Sequence, residues 1–172
     1  DFLTKVYLDY EPQSCFVAET NNKVIGYIIG AKDSNVLNKV FENKILAKLL
    51  WKAIRHNIIL RKKSLAFMIN SLISFLKGEL KTPDFSKEYP ATLHINLKEE
   101  FRNQGIGSRL ITMYLEYLKS KDVQGVHFAT LSSKAARLYE KLGFGLLHKK
   151  NRSYFRSILR KDITCFIFGK KL

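Results

Sequence analysis

Where a strand-like run gives way to a helix-like one, the chain reads Arg102-Asn103-Gln104-Gly105-Ile106-Gly107-Ser108. Glycines at a helix start let the backbone pass close to a ligand, and the free N–H groups of the first turn face an anion. Such an end favours a nearby negative charge by about 0.3–1 kcal/mol, and by more when partly buried. Three phosphate-binding patterns compete for it. The P-loop pattern fails, because no Gly-Lys-Ser/Thr follows four residues after a glycine. The dinucleotide fingerprint fails as well: residues 98–104 separate the strand from the first glycine, and Leu110 holds the third glycine position. An Arg-x-x-Gly-x-Gly turn at a helix start remains.

The elements that must position this turn follow from periodicity. Cys15–Glu19 and Val24–Ile29 are β-rich runs joined by Thr20-Asn21-Asn22-Lys23, which predicts a hairpin over 14–32. Over 36–81 apolar residues recur at helical spacing, predicting two or three helices with a break near Arg61-Lys62-Lys63. The aromatics Phe41, Trp51, Phe67 and Phe75 keep that spacing and read as core residues rather than base-stacking platforms. A loop to Pro90 leads to a strand, Thr92 to Leu97, then to the glycine turn and a helix to about Ser120. That helix carries Ile106, Leu110, Ile111, Tyr114, Tyr117 and Leu118 on one face. Val126 to Thr130 is a further strand. Ser132 or Ser133 caps a short helix that ends at Gly143, and strands at 144–147 and 163–168 close the chain. This order gives an α/β fold with a mixed sheet.

Composition narrows the class. The 172 residues suit one domain, with 46% hydrophobic and 12% aromatic residues to bury a core. Nine Gly, three Pro and two Cys exclude collagen-like, mucin-like and disulfide-scaffold chains. Cys15 and Cys165 lie apart in apolar runs and read as buried free thiols, which suits a reducing, cytoplasmic location and gives no metal or redox motif. No run is long and apolar enough to be a transmembrane segment; Ser64 to Leu76 is too short and contains Asn70, Ser71 and Ser74.

Two motifs then stand together. One is the strand plus glycine turn, Leu93 to Gly107; the other is Ala135-Ala-Arg-Leu-Tyr139-Glu-Lys-Leu-Gly143-Phe144. With a helix and a strand between them, the chain resembles the GNAT (Gcn5-related N-acetyltransferase) family. The match is close over 91–148, looser over 14–32 and 160–172, and absent over 33–90, where a helical insertion separates the hairpin from the cofactor-binding strand. A plain member begins with a strand and two helices, for which residues 1–13 are too few; those elements lie upstream of Asp1 or the insertion replaces their packing.

The resemblance implies an acetyl-CoA site and no metal. Backbone groups of Ile95, Asn96 and Leu97 would pair with the pantetheine arm. The N–H groups of Arg102, Asn103, Gln104, Gly105, Ile106 and Gly107, with Ser108, would hold the pyrophosphate. Tyr139 matches the family's general acid beside the sulfur, and Ser132 stands where the family often has a cofactor-contacting Asn. Twelve positions before that tyrosine, where alanine-acetylating members carry a base, stands His127; His94 lies on the neighbouring strand. Either histidine can serve as base or as a satisfied core residue. The expected reaction is acetyl transfer to a primary amine, small molecule or peptide, by direct attack in a ternary complex. Two other readings stay open: a catalytically silent CoA-binding module and a basic nucleic-acid-binding module.

The charge is distributed unevenly. The chain carries +15, of which residues 36–81 contribute +8 and residues 149–172 contribute +7, so the rest is formally neutral. These two segments are where an anionic partner is to be sought. The insertion itself can pack on its own domain, cover the acceptor site, form a homodimer surface or lie on a membrane.

Overall fold

A computed structural model describes residues 2–40, 51, 55 and 62–172. Helix α1 (Phe2–Tyr10) leads through a short turn to strands β1 (Phe16–Thr20) and β2 (Lys23–Ala31). Helices α2 (Ser34–Val40) and α3 (Lys62–Leu76) precede strand β3 (Ala91–Leu97). Then follow helix α4 (Ile106–Lys119), strand β4 (Gly125–Thr130), helix α5 (Ser133–Lys141), strand β5 (Gly145–Arg152), helix α6 (Arg156–Leu159) and strand β6 (Ile163–Lys171).

The strands form one sheet in the order β1-β2-β3-β4-β6-β5. All neighbours are antiparallel except β3 and β4, so the sheet is mixed as expected. The hairpin turns on Asn21 and Asn22, both at positive φ (49° and 57°), the backbone that a tight two-residue turn requires.

One face of the sheet is covered by α4 and α5. Leu110, Ile111, Tyr114 and Leu118 of α4 and Ala136 and Tyr139 of α5 bury themselves against Leu93, Val126, Phe128 and Phe168. The Tyr114 hydroxyl, fully enclosed, donates to the Thr92 carbonyl at 2.7 Å. Gly30 makes that approach possible: a Cβ there would overlap the Tyr114 hydroxyl and the Thr92 carbonyl. On the other face Val6 of α1 and Leu37 of α2 pack on Ala31. The buried Glu11 carboxylate ties α1 to the end of β2 and to α4, accepting from the Lys32 N–H at 3.1 Å and the Tyr117 hydroxyl at 3.3 Å.

The insertion departs from expectation. Helix α3 begins at Lys62, next to the anticipated break, and docks on the tail rather than inside the domain core. Phe67 meets the rings of Tyr154 and Phe155 at 6.3 and 5.7 Å. The Glu79 carboxylate accepts from the Ser74 hydroxyl and from the Ser153 N–H and hydroxyl, each at 2.7 Å. Phe75 and Trp51, expected in a core, are 65% and 64% exposed. Spacing marks a helix and its stripe, but the inward side of α3 is the one carrying Phe67, Ser71 and Ser74. Phe41 lies outside the described residues.

Candidate active site

The glycine turn joins β3 to α4. A single 3-10 turn at Glu99–Phe101 reverses the chain, and Asn103 (φ 63°) and Gly105 (φ 78°) take left-handed backbone just before the helix. Gly105 is the N-cap and offers no side-chain acceptor. The first bond into the helix runs from the Arg109 N–H to the Gly105 carbonyl at 3.0 Å. Consequently the six consecutive N–H groups from Asn103 to Ser108 donate to nothing among the described residues. Successive free donors in turn geometry form a concave anion site. A Cβ at Gly105 would meet no atom within 4 Å, and one at Gly107 only Leu138 at 3.9 Å, so the space above the turn is open. Arg102 is exposed; its Nε donates to the Leu97 carbonyl at 3.2 Å, which holds the guanidinium beside the turn. The Gln104 amide is tied back to the Glu100 carbonyl at 3.2 Å.

Beside the turn, the sheet opens. Strands β3 and β4 share only two parallel partners, Ala91 with Val126 and Thr92 with His127. Beyond them β3 continues to Leu97, paired with β2 on its other side, while β4 continues to Thr130, paired with β6. The β4-facing backbone of β3 from Leu93 to Leu97 therefore has no strand partner among the described residues. This stretch contains Ile95, Asn96 and Leu97, and its free edge can bind an extended amide-bearing chain as an added strand would.

Side chains flank the opening on both faces. Phe128 faces α5, where the Tyr139 ring meets it edge-on at 4.5 Å, with Phe144 and Phe168 at 6.0 and 5.7 Å. Burial raises the Tyr139 pKa, and its hydroxyl makes no hydrogen bond among the described residues. His127, the preceding residue on β4, projects to the opposite face. Its Nδ1 sits against the Tyr89 carbonyl. A carbonyl only accepts, so Nδ1 carries a proton, and in the neutral ring Nε2 is the nitrogen that presents its lone pair. Phe85 lies 6.4 Å away, ring to ring. The Asp84 carboxyl is held below its usual range, chiefly by hydrogen bonds from the Ser86 backbone and side chain.

His94 stands on the same face as His127, because Thr92 is the partner of His127 and His94 is two residues on. At 3.3 Å per residue and about 4.8 Å between strands, their backbones are at least about 8 Å apart. The two histidines thus share a face, each beside a different aromatic ring, Tyr27 for His94 and Phe85 for His127. His94 lies 6.2 Å from the Tyr27 ring, and the packing around its imidazole lowers its pKa. Ser132 is the N-cap of α5, its hydroxyl accepting from the Ala135 N–H at 3.2 Å, which commits that oxygen to the helix. The loop that orients His127, residues 84–89, was not anticipated as part of the site; nothing in its composition distinguishes it from an ordinary connection.

A splayed parallel pair in an otherwise antiparallel sheet thus leaves a cleft with a bare N–H turn at its mouth. The sequence profile of the acetyltransferase (GNAT) family matches residues 1–144, and the chain belongs to that family of acyltransferases. No curated protein sequence matches it. Among solved structures, SsHAT superposes with a TM-score of 0.63 at 19% identity, covering 98% of this chain and 77% of that one. The polyamine N-acetyltransferase of Drosophila melanogaster, which forms N-acetylagmatine, gives 0.59 at 17% identity over 98% and 79% of the two chains. A streptothricin acetyltransferase homologue from Bacillus anthracis, solved with acetyl coenzyme A, gives 0.53 at 17% identity over 92% and 61%. These likenesses establish the fold.

Proposed function

We propose that this chain transfers an acetyl group from acetyl-CoA to a primary amine by direct attack within a ternary complex. The observation that carries the proposal is the run of six unengaged N–H groups, Asn103 to Ser108, opening onto the unpaired edge of β3. The turn and the Arg102 guanidinium receive the pyrophosphate. The β3 edge at Ile95–Leu97 holds the amide-bearing arm between the strands. When bound, acetyl-CoA supplies an acyl group activated as a thioester.

A lysine-like amine of pKa about 10.4 costs roughly 4–5 kcal/mol to deprotonate at neutral pH. His127 offsets that cost, its Nε2 lone pair kept free by the Tyr89 carbonyl. His94 is the second candidate base and stays neutral at physiological pH because packing lowers its pKa. Tyr139, kept protonated by its raised pKa, offers its hydroxyl to the departing sulfur. A phenol of pKa above about 10 is a weaker acid than a thiol near 8.5, so the role this favours is hydrogen-bond donation rather than complete proton transfer.

The acceptor class is an amine, in keeping with the polyamine acetyltransferase of the same fold. The test is release of free thiol from acetyl-CoA across a panel of polyamines, amino sugars, lysine peptides and peptide N-termini. Turnover on one class supports the proposal. Tight acetyl-CoA binding with no turnover on any amine would replace it with a silent binding module.

A further inference from the structure

The outward side of α3 is apolar. Leu65, Met68, Ile69, Leu72, Phe75 and Leu76 follow one another at three- and four-residue spacing and fall on a single face of the helix. All six are exposed, Phe75 by 65% and Leu76 by 75%. Helix α6, packed beside α3, adds Ile158 and Leu159, 56% and 48% exposed. A contiguous exposed apolar face of this kind marks an interaction surface.

Charge identifies the occupant. Lys77 and Lys81 follow α3, and Arg160 and Lys161 follow α6; none is in an ion pair with a described residue. The two acids of this flank are already engaged, Glu79 by Ser74 and Ser153, and Asp162 by the Arg156 guanidinium at 2.7 and 2.8 Å. The face is therefore apolar at its centre and cationic at its rim. A second copy would press one strongly basic segment against another. A nucleic acid would satisfy the cations but leave aliphatic Leu and Ile side chains without an apolar partner.

We infer that the α3–α6 face docks on the surface of a bilayer rich in anionic lipid. The apolar side chains enter the headgroup–acyl boundary and the flanking cations meet the lipid charges. At 15 residues α3 is about 22 Å long, too short to cross a hydrocarbon core of about 30 Å, so it lies along the interface.

Sedimentation of the full chain with phosphatidylcholine vesicles, with and without phosphatidylserine, tests this. The expected result is binding to the phosphatidylserine vesicles that is at least about tenfold stronger than to neutral ones and weakens with added salt. Leu72→Glu with Leu76→Glu should reduce that binding at least about tenfold while leaving the thermal unfolding temperature and acetyl-CoA affinity unchanged. Lys77→Glu with Arg160→Glu is the independent variant and should lose binding comparably. Absence of binding to phosphatidylserine vesicles overturns the inference. So does binding that survives both variants, and so does a concentration-dependent dimer that the Leu variant dissolves or capture of RNA that the lipid does not compete.

Discussion

The cleft region, β3 through α5, and the α3–α6 flank arrange the same kinds of residue in opposite ways. In the cleft region apolar side chains face inward, and the groups left free are backbone N–H donors on a turn and one strand edge. In the flank the inward side of α3 carries Phe67 beside the small polar Ser71 and Ser74, and the apolar stripe faces out among cations. Formal charge follows the same division, with the +15 confined to the insertion and the tail. On the proposed reading, recognition of a polyphosphate needs few charged side chains, because oriented backbone dipoles would do the binding. Net charge is a poor guide to where the chemistry lies.

The sharpest way to break this comparison is at His127. Replacing it with Ala removes the group whose free Nε2 the Tyr89 carbonyl maintains, and kcat should fall about 10²–10⁴-fold with acetyl-CoA affinity little changed. Activity of the variant should recover as pH rises toward the amine's own pKa. A fall in kcat below tenfold would move the base to His94. Gly107→Glu acts on the turn instead: it sets a carboxylate among the N–H donors where space is open. Like-charge juxtaposition there should weaken acetyl-CoA binding about 100-fold by calorimetry without unfolding the chain. An unchanged affinity would place the phosphates elsewhere.

Much of the cleft was legible because its signals are local. Gly105 announces left-handed backbone, Asn21-Asn22 a tight hairpin, Ser132 an N-cap, and the stripe from Leu110 to Leu118 a buried helix face, each decided within a few residues. The orientation of His127 was not legible, since its partner carbonyl stands 38 residues away in a loop with no distinguishing composition. Nor was the outward stripe of α3. Hydrophobic periodicity defines a face but not whether the rest of the chain covers it, and here Phe67, Ser74 and Glu79 secure the opposite side. Helix α6, four residues long, is below what periodicity resolves.

The attachment of the flank is a smaller target. Glu79 joins α3 to the tail through three hydrogen bonds, and a charged acceptor of this kind contributes about 1–3 kcal/mol. Glu79→Ala should accelerate amide hydrogen exchange in α3 and α6 and leave exchange in α4 and β3 unchanged. Uniform acceleration throughout the chain would mean that the flank and cleft unfold as one unit. Those hydrogen bonds also keep the Glu79 carboxyl below its usual pKa. Its contribution is therefore complete above the unfolded value of about 4.3 and disappears as acid protonates the folded carboxylate.

The smallest expected effect tests the face that His94 shares with His127. Packing lowers the His94 pKa, so the folded state resists protonation more than the unfolded chain, whose histidines titrate near 6.5. Above that value both states are neutral at this site and it adds nothing to the pH dependence. As pH falls below it, the unfolded state takes up the proton first, and stability declines until the folded imidazole also protonates, after which this component levels off. Urea midpoints between about pH 7 and 5 should show that decline in the native chain and a shallower one in His94→Asn. If the two slopes coincide, the His94 ring is solvated and adds no desolvated group to that face. If they differ while His94→Asn retains turnover, His94 shapes the wall of the acceptor site and His127 carries the proton.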